Sequence, residues 1–185
     1  MPDLVPIIGM TEDESLKALE HGAQVSSSVE VNEEGNPIKH EVRVALTSEP
    51  ADSRTGTPTV YLSRNEEGHV LQVGYSTSTS SLGYGSFSFS DAVEKVGVIE
   101  QPLDEAGMKI PEGTVKLPAD KMKYSTYASD GTTLTREYYS FDGSGEAENA
   151  STYPWSAVLS YDYTLANTTG NLADTMRTIY IYIGQ

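Results

Sequence analysis

The chain contains no cysteine and few basic residues. Its 185 residues include 12 lysines and arginines against 27 aspartates and glutamates, which gives a formal net charge of −15. Without cysteine, the chain cannot form disulfides, thiolate nucleophiles or cysteine-ligated zinc sites. Because nucleic acids and anionic membrane surfaces attract lysine and arginine, the acidity argues against direct binding to either.

Long apolar runs are also missing. No stretch of the sequence approaches the roughly 20 apolar residues that a transmembrane helix requires. The first residues have neither the basic segment nor the extended apolar segment of a signal peptide. We therefore expect a protein that is made and folded in the cytoplasm of its host.

The common catalytic motifs do not occur. The sequence has neither a G-x-S-x-G nucleophile motif nor a G-x-x-x-x-G-K-[ST] phosphate loop. The three histidines, His21, His40 and His69, have no spacing typical of a zinc or iron site, so we assign them structural roles. We predict a protein that is not an enzyme, with no catalytic residues, no metal ligands and no cofactor.

One acidic segment has some features of a calcium loop. Residues 142–148 place side-chain oxygens at alternate positions, from Asp142 to Glu148. Ala147 stands where such a loop needs glycine, and Tyr153 where it needs glutamate. We predict a solvated acidic loop over residues 142–151 and leave open a weak calcium site.

The N-terminal part is predicted to differ from the rest. Pro2 and Pro6 indicate an extended arm over residues 1–10, which in an assembly could lie on a neighbouring subunit. Thr11 and Glu14 form a capping-box pattern, which predicts a short helix ending near Gly22. The predicted organisation is an arm and helix over residues 1–22, then a single β domain over residues 23–185. The proline-rich stretch 101–120 is a candidate soft boundary.

From residue 23 onward, apolar and polar residues alternate with the period of β-strands. The Asp130-Gly131 pair is a strong hairpin signal, and the final strand is predicted to be central or covered by a partner, since its two faces are both apolar or aromatic. Residues 167–174 are predicted to be a loop. The predicted strands are residues 25–31 and 38–46, 59–63 and 69–75, 87–89, 123–127 and 133–139, 155–163, and 176–183. This pattern predicts an all-β fold, an antiparallel β-sandwich or jelly roll with a short N-terminal helix.

Tyrosine is unusually frequent, with twelve against three phenylalanines and one tryptophan. Tyrosine suits half-buried strands, subunit interfaces and sugar-binding surfaces, and these three readings stay open. The candidate binding or interface residues are Tyr138, Tyr139, Tyr153, Trp155, Tyr161, Tyr163, Tyr180 and Tyr182.

In general character the chain resembles a bacteriophage virion structural protein, such as a capsid, decoration or tail component. The features behind this resemblance are the proline-bearing N-terminal arm, the β body rich in Ser, Thr, Gly and Tyr, the lack of cysteine and the C-terminal strand. The resemblance implies a virion location, and a subunit that forms homo-oligomers and contacts other structural subunits. The alternative is a carbohydrate- or receptor-binding β-sandwich module.

Overall fold

The fold is built around nine β-strands. A computed structural model describes residues 1–184, so the last residue of the predicted domain, Gln185, lies outside the described residues. The strands are β1 (Ala23–Glu30), β2 (His40–Leu46), β3 (Thr59–Arg64), β4 (Val70–Ser78), β5 (Met108–Lys109), β6 (Ser125–Tyr127), β7 (Leu134–Ala147), β8 (Thr152–Asp162) and β9 (Met176–Gly184).

Short helices and turns connect the strands. The helices are α1 (Glu12–Leu19), α2 (Phe89–Glu94), α3 (Glu100–Glu105) and α4 (Thr164–Thr169), with 3-10 turns at Val5–Ile7, Lys121–Lys123 and Leu172–Asp174. The loop predicted over residues 167–174 is therefore partly helical. The stretch 101–120 carries most of α3 and all of β5 before an irregular segment.

The strands form one curled antiparallel sheet. Their order is β1-β2-β3-β4-β9-β8-β7, and the short strands β5 and β6 both pair with β7. The all-β prediction is confirmed, but the sandwich or jelly roll is not, since all nine strands belong to a single sheet. The C-terminal strand β9 is central, between β4 and β8.

The N-terminal segment folds onto its own chain. The capping box of α1 is present, with the Glu14 amide donating to Thr11 Oγ1 and the Thr11 amide donating to Glu14 Oε2. The predicted extended arm is wrong, because Leu4 and Ile7 are buried in the core and Leu4 N donates to the carbonyl oxygen of Ala106 at 3.1 Å. The apolar residues of this segment therefore pack into the core of their own chain.

One face of the sheet carries the core. Apolar side chains alternate inward along each strand, and the segments before β1 and between β4 and β6 pack over them. Phe89 is fully buried there, with ring centroids 5.5 Å from Tyr124 and 5.3 Å from Tyr161. The strand predicted over residues 87–89 is wrong, because Ser88 caps α2 and Phe89 begins it.

The first hairpin pairs as predicted, but the strict alternation predicted for residues 25–31, with Val25 and Val29 on the same face, is wrong. A β-bulge between Val25 and Ser27 adds one residue to β1, so Val25 pairs with Val44 on the core side, whereas Val29 pairs with Glu41 on the opposite side. One extra residue reverses the alternation that follows it. Val25 and Val29 are 44% and 51% exposed, since β1 is the edge of the sheet.

The long strand β7 occupies most of the predicted loop over residues 142–151. Its glycines, which suggested a loop, lie where neighbouring side chains come close to the backbone. A Cβ on Gly143 would lie 3.1 Å from the Trp155 ring, and one on Gly145 would lie 2.6 Å from Met108 Sδ. Close packing within a strand therefore favours glycine at both positions, most strongly at Gly145.

Candidate functional site

The side of the sheet opposite the core is here called the open face. Its side chains alternate with the buried core residues and are half-buried or exposed. The open face includes Arg43, Tyr61, Ser76, Tyr138, Ser140, Ser156, Val158, Ser160, Thr178, Tyr180 and Tyr182, together with the charged residues Glu41, Lys109, Arg136, Asp142, Glu146 and Asp162. Most of these residues are aromatic, hydroxyl-bearing or arginine.

The eight predicted aromatic residues do not form one cluster, because adjacent residues of a strand point to opposite faces. Trp155 and Tyr161 are 3% and 0% exposed, so their assignment to a binding surface is wrong. Tyr139, Tyr153 and Tyr163 are partly buried against the core. The residues on the open face are Tyr138, Tyr180 and Tyr182.

Tyr61 belongs to the same surface and was missed by the sequence analysis. It lies between Val60 and Leu62, both fully buried, so strict alternation along β3 places Tyr61 outward. This local signal was sufficient to find it.

A row of residues crosses the middle of the open face. Arg43 pairs with Tyr61, Tyr61 with Gly74, and Gly74 with Tyr182, on four neighbouring strands. The Tyr61 and Tyr182 rings meet above Gly74, with centroids 6.1 Å apart, and the Arg43 guanidinium carbon lies 5.7 Å from the Tyr61 centroid. These are distances at which aromatic and cation–π contacts are favourable.

Glycine at position 74 makes this aromatic contact possible. A Cβ there would lie 2.6 Å from Tyr182 Cε1 and 3.3 Å from Tyr61 Cβ. The Tyr182 ring covers the glycine backbone and is itself partly withdrawn from water. Burial, with a smaller effect of neighbouring Tyr61, raises the pKa of Tyr182 to about 12, so this hydroxyl is neutral and can donate a hydrogen bond at physiological pH.

A second arginine–tyrosine contact lies toward β7. The Arg136 guanidinium carbon is 4.5 Å from the Tyr138 ring centroid, and Arg136 Nη2 donates to Ser160 Oγ at 3.4 Å. Ser140 Oγ donates to the Tyr138 hydroxyl at 3.4 Å. Tyr138, at 40% exposure, is the most exposed tyrosine of this face.

A small pocket of about 130 Å³ opens on this side of the sheet. Within it, the Tyr61 hydroxyl and Ser76 Oγ lie 3.1 Å apart. Hydroxyl groups can both donate and accept, so the lining suits a ligand that carries several hydroxyls of its own. The residues that line the pocket are Thr55, Thr57, Thr59, Tyr61, Ser76, Thr77, Thr178 and Tyr180.

The open face is nearly neutral, although the chain is strongly acidic. Arg43, Lys109 and Arg136 lie on it, and Glu41, Asp142, Glu146 and Asp162 occupy outward positions in the same rows. Three positive and four negative residues give −1, so 14 of the 15 net negative charges of the chain lie elsewhere.

The histidines and the acidic segment make local contacts. His21 contacts the Glu49 carboxylate, and His69 Nδ1 lies 3.0 Å from the Gly9 carbonyl oxygen. Residues 142–147 run along β7, where successive side chains point to opposite faces. Within residues 1–184, no three His, Asp or Glu side chains are grouped closely enough to hold a metal ion.

The partly buried carboxylate of Glu137 lies on the core side and accepts a hydrogen bond from the Tyr163 hydroxyl. Burial raises the pKa of Glu137, and burial together with this carboxylate raises the pKa of Tyr163. This arrangement ties the chain after β8 back to β7, which gives Tyr163 a structural role.

Comparison of the chain with protein-family models, curated proteins and solved structures found no match. None of the helices within residues 1–184 has the length and apolar character needed to cross a lipid bilayer.

Proposed function

We propose that the protein is a non-enzymatic structural subunit that self-associates through the open face, as a component of a virus particle. The observation that carries this proposal is the combination of tyrosine, arginine and small hydroxyl side chains on a nearly neutral surface of a chain with net charge −15. Tyrosine and arginine are enriched at protein interfaces, whereas lysine and glutamate are depleted there.

A second copy of the chain is the partner that the charge distribution favours. Two molecules that each carry fifteen net negative charges repel one another over most of their surfaces. The open face, with a net charge of −1, is a surface on which two copies can approach without bringing many acids together. The Tyr61–Tyr182 and Arg136–Tyr138 contacts hold its aromatic rings in place, which reduces the entropy lost on association.

In the sequence, the N-terminal segment and the C-terminal strand suggested assembly, but their positions in the structure do not support it. The N-terminal segment packs into its own core, and the C-terminal strand is paired on both sides by its own chain. The proposal therefore rests on the open face.

The proposal is tested by placing one negative charge on the open face. Ser156, half-buried in the middle of β8 and opposite Tyr182, is the position of choice. We expect wild-type protein to self-associate in sedimentation velocity at micromolar concentrations, and Ser156→Glu to weaken that association by removing the open-face contact. The control is Ser86→Glu, which adds the same charge at an exposed loop position and should leave association unchanged. A wild-type protein that stays monomeric at high micromolar concentration contradicts the proposal.

The hydroxyl-lined pocket favours a second candidate function, carbohydrate or receptor binding at the same face. Tyr61 and Tyr180 would supply ring surfaces, and Thr59, Ser76 and Thr178 would supply hydrogen bonds. Trp155 fluorescence is a poor probe for it, since this side chain is buried on the other face. A glycan array followed by calorimetry with wild type and Tyr180→Ala tests the function directly. No glycan bound, or equal affinity for both proteins, counts against it.

A further inference from the structure

We infer that β1 is a strand-pairing edge, through which two copies of this chain join their sheets into one. The inference rests on the proposed function, since it names a second contact by which the subunit would self-associate. β1 spans Ala23–Glu30 and hydrogen-bonds to β2 along one side only, and all of its residues after Ala23 are exposed. Every second residue of such a strand directs its amide and carbonyl groups away from the sheet.

The sequence of β1 does little to prevent pairing. Edge strands are usually protected by lysine, proline or strong irregularity. β1 reads AQVSSSVE, with no proline, no lysine and a single charge at Glu30. Its one protective device is the bulge after Val25, and the strand is regular from Ser27 onward. Ser27 to Glu30 therefore offers a regular, weakly charged segment for a further strand.

The opposite edge of the sheet is closed at both ends. β6 pairs with β7 over Leu134–Glu137, and β5 pairs with its end at Glu146 and Ala147. A head-to-tail contact would need β1 of one copy to fit into the middle of β7 of the next, between these two short strands. By contrast, within residues 1–184 no strand flanks the outer side of β1 at either end, so β1 of a second copy is the edge that can pair without this constraint.

Pairing of identical antiparallel edges is two-fold symmetric. In the joined sheet, the core faces of both copies lie on the same side. Two residues that pair across the two-fold axis must therefore direct their side chains to the same face of that sheet. One residue of β1 therefore faces its own counterpart across the two-fold axis. The chain has no cysteine, so a single introduced cysteine reports this geometry without background disulfides.

The test is a cysteine scan of β1 at Ser27, Ser28 and Val29 under mild oxidation, with Ser144→Cys on the β7 edge as the control. We expect one β1 position to give intermolecular disulfide at least about tenfold more efficiently than its neighbours and the control. We further expect Val29→Lys, at a half-exposed position, to raise the dimer dissociation constant about tenfold or more, since it brings two like charges close together.

The outcomes separate this inference from the proposed function. If wild type self-associates and Ser156→Glu dissociates it, while all cysteine variants cross-link equally poorly and Val29→Lys has no effect, then the edge inference is wrong and the open-face proposal stands. If the cysteine scan gives a single strong position and Ser156→Glu has no effect, association occurs through β1 alone. Monomeric wild type with no selective cross-link overturns both.

Discussion

Replacing Gly74 by alanine tests the central geometry of the open face. The new Cβ would lie 2.6 Å from Tyr182 Cε1, closer than Cβ atoms are found to other atoms, so the ring must move. Overpacking of this kind costs about 1–3 kcal/mol. Alanine also lowers the conformational entropy of the unfolded chain, which raises the free energy of unfolding by about 0.4–1 kcal/mol. We expect a net loss of about 1.3 kcal/mol in the free energy of unfolding, the two ranges together spanning about 0–2.6 kcal/mol.

Repeating Gly74→Ala in proteins with a different residue at position 182 shows whether the Tyr182 ring causes this loss of stability. In a Tyr182→Ser protein, the remaining close neighbour is Tyr61 Cβ at 3.3 Å, so Gly74→Ala should be nearly neutral. In a Tyr182→Phe protein the ring is retained, so the loss should be the same as in wild type. This coupling between contacting residues is measured by a double-mutant cycle.

Urea unfolding gives the required quantities. The midpoint should fall in Gly74→Ala with an unchanged slope, which shows that native stability and not the compactness of the unfolded chain has changed. If Gly74→Ala costs the same in the wild-type, Tyr182→Ser and Tyr182→Phe proteins, to within about 0.5 kcal/mol, the reasoning is refuted.

Three further predictions concern the fold. Leu4→Ala should lower the free energy of unfolding by about 2–5 kcal/mol in urea, since Leu4 is fully buried; no loss would mean that the segment is a free arm. Phe89→Ala should cost about 3–5 kcal/mol by the same assay, and a loss below about 1 kcal/mol would contradict its place between two aromatic rings. Hydrogen bonds from Thr133 and from the Thr132 amide hold the pKa of Asp130 down to about 2 from 3.8. The stabilisation by this carboxylate is therefore complete above pH 3.8 and lost as the pH falls toward 2, so Asp130→Ala should lose less stability than wild type over that range in acid titration followed by circular dichroism. Equal losses in the two proteins would contradict this assignment.

Hairpins were predictable from the sequence because their signals are local. The Asp130-Gly131 turn appears where expected, with the Asp130 carboxylate accepting amide hydrogen bonds from Thr132 and Thr133. Alternation along β9 also gave the correct faces. The apolar residues of that strand, Ile179 and Ile181 among them, are fully buried, which explains why the strand needs neighbours on both sides.

Features that depend on distant parts of the chain were not predictable. The pairing of β4 with β9 brings Val73 beside Ile183, and nothing local in either strand specifies that contact or the single sheet that results. The bulge at Ser26 carries no proline or glycine, so the change of face at Val29 left no sign in the sequence.

In the candidate site too, local features were predictable from the sequence, whereas contacts between distant strands were not. Strand alternation correctly separates Tyr138 from Tyr139 once each strand is known. Tyr61 meets Tyr182 only because three strands are adjacent in the sheet, an arrangement that clustering along the sequence cannot indicate.

The open-face account is tested most directly by sedimentation velocity of wild type, Ser156→Glu and Ser86→Glu over a range of micromolar concentrations. It predicts reversible association of wild type and Ser86→Glu, and a Ser156→Glu protein that associates more weakly because it has lost the open-face contact and keeps at most the contact through β1. A wild type that remains a single monomeric species, or a Ser156→Glu protein that associates as strongly as wild type, would contradict it.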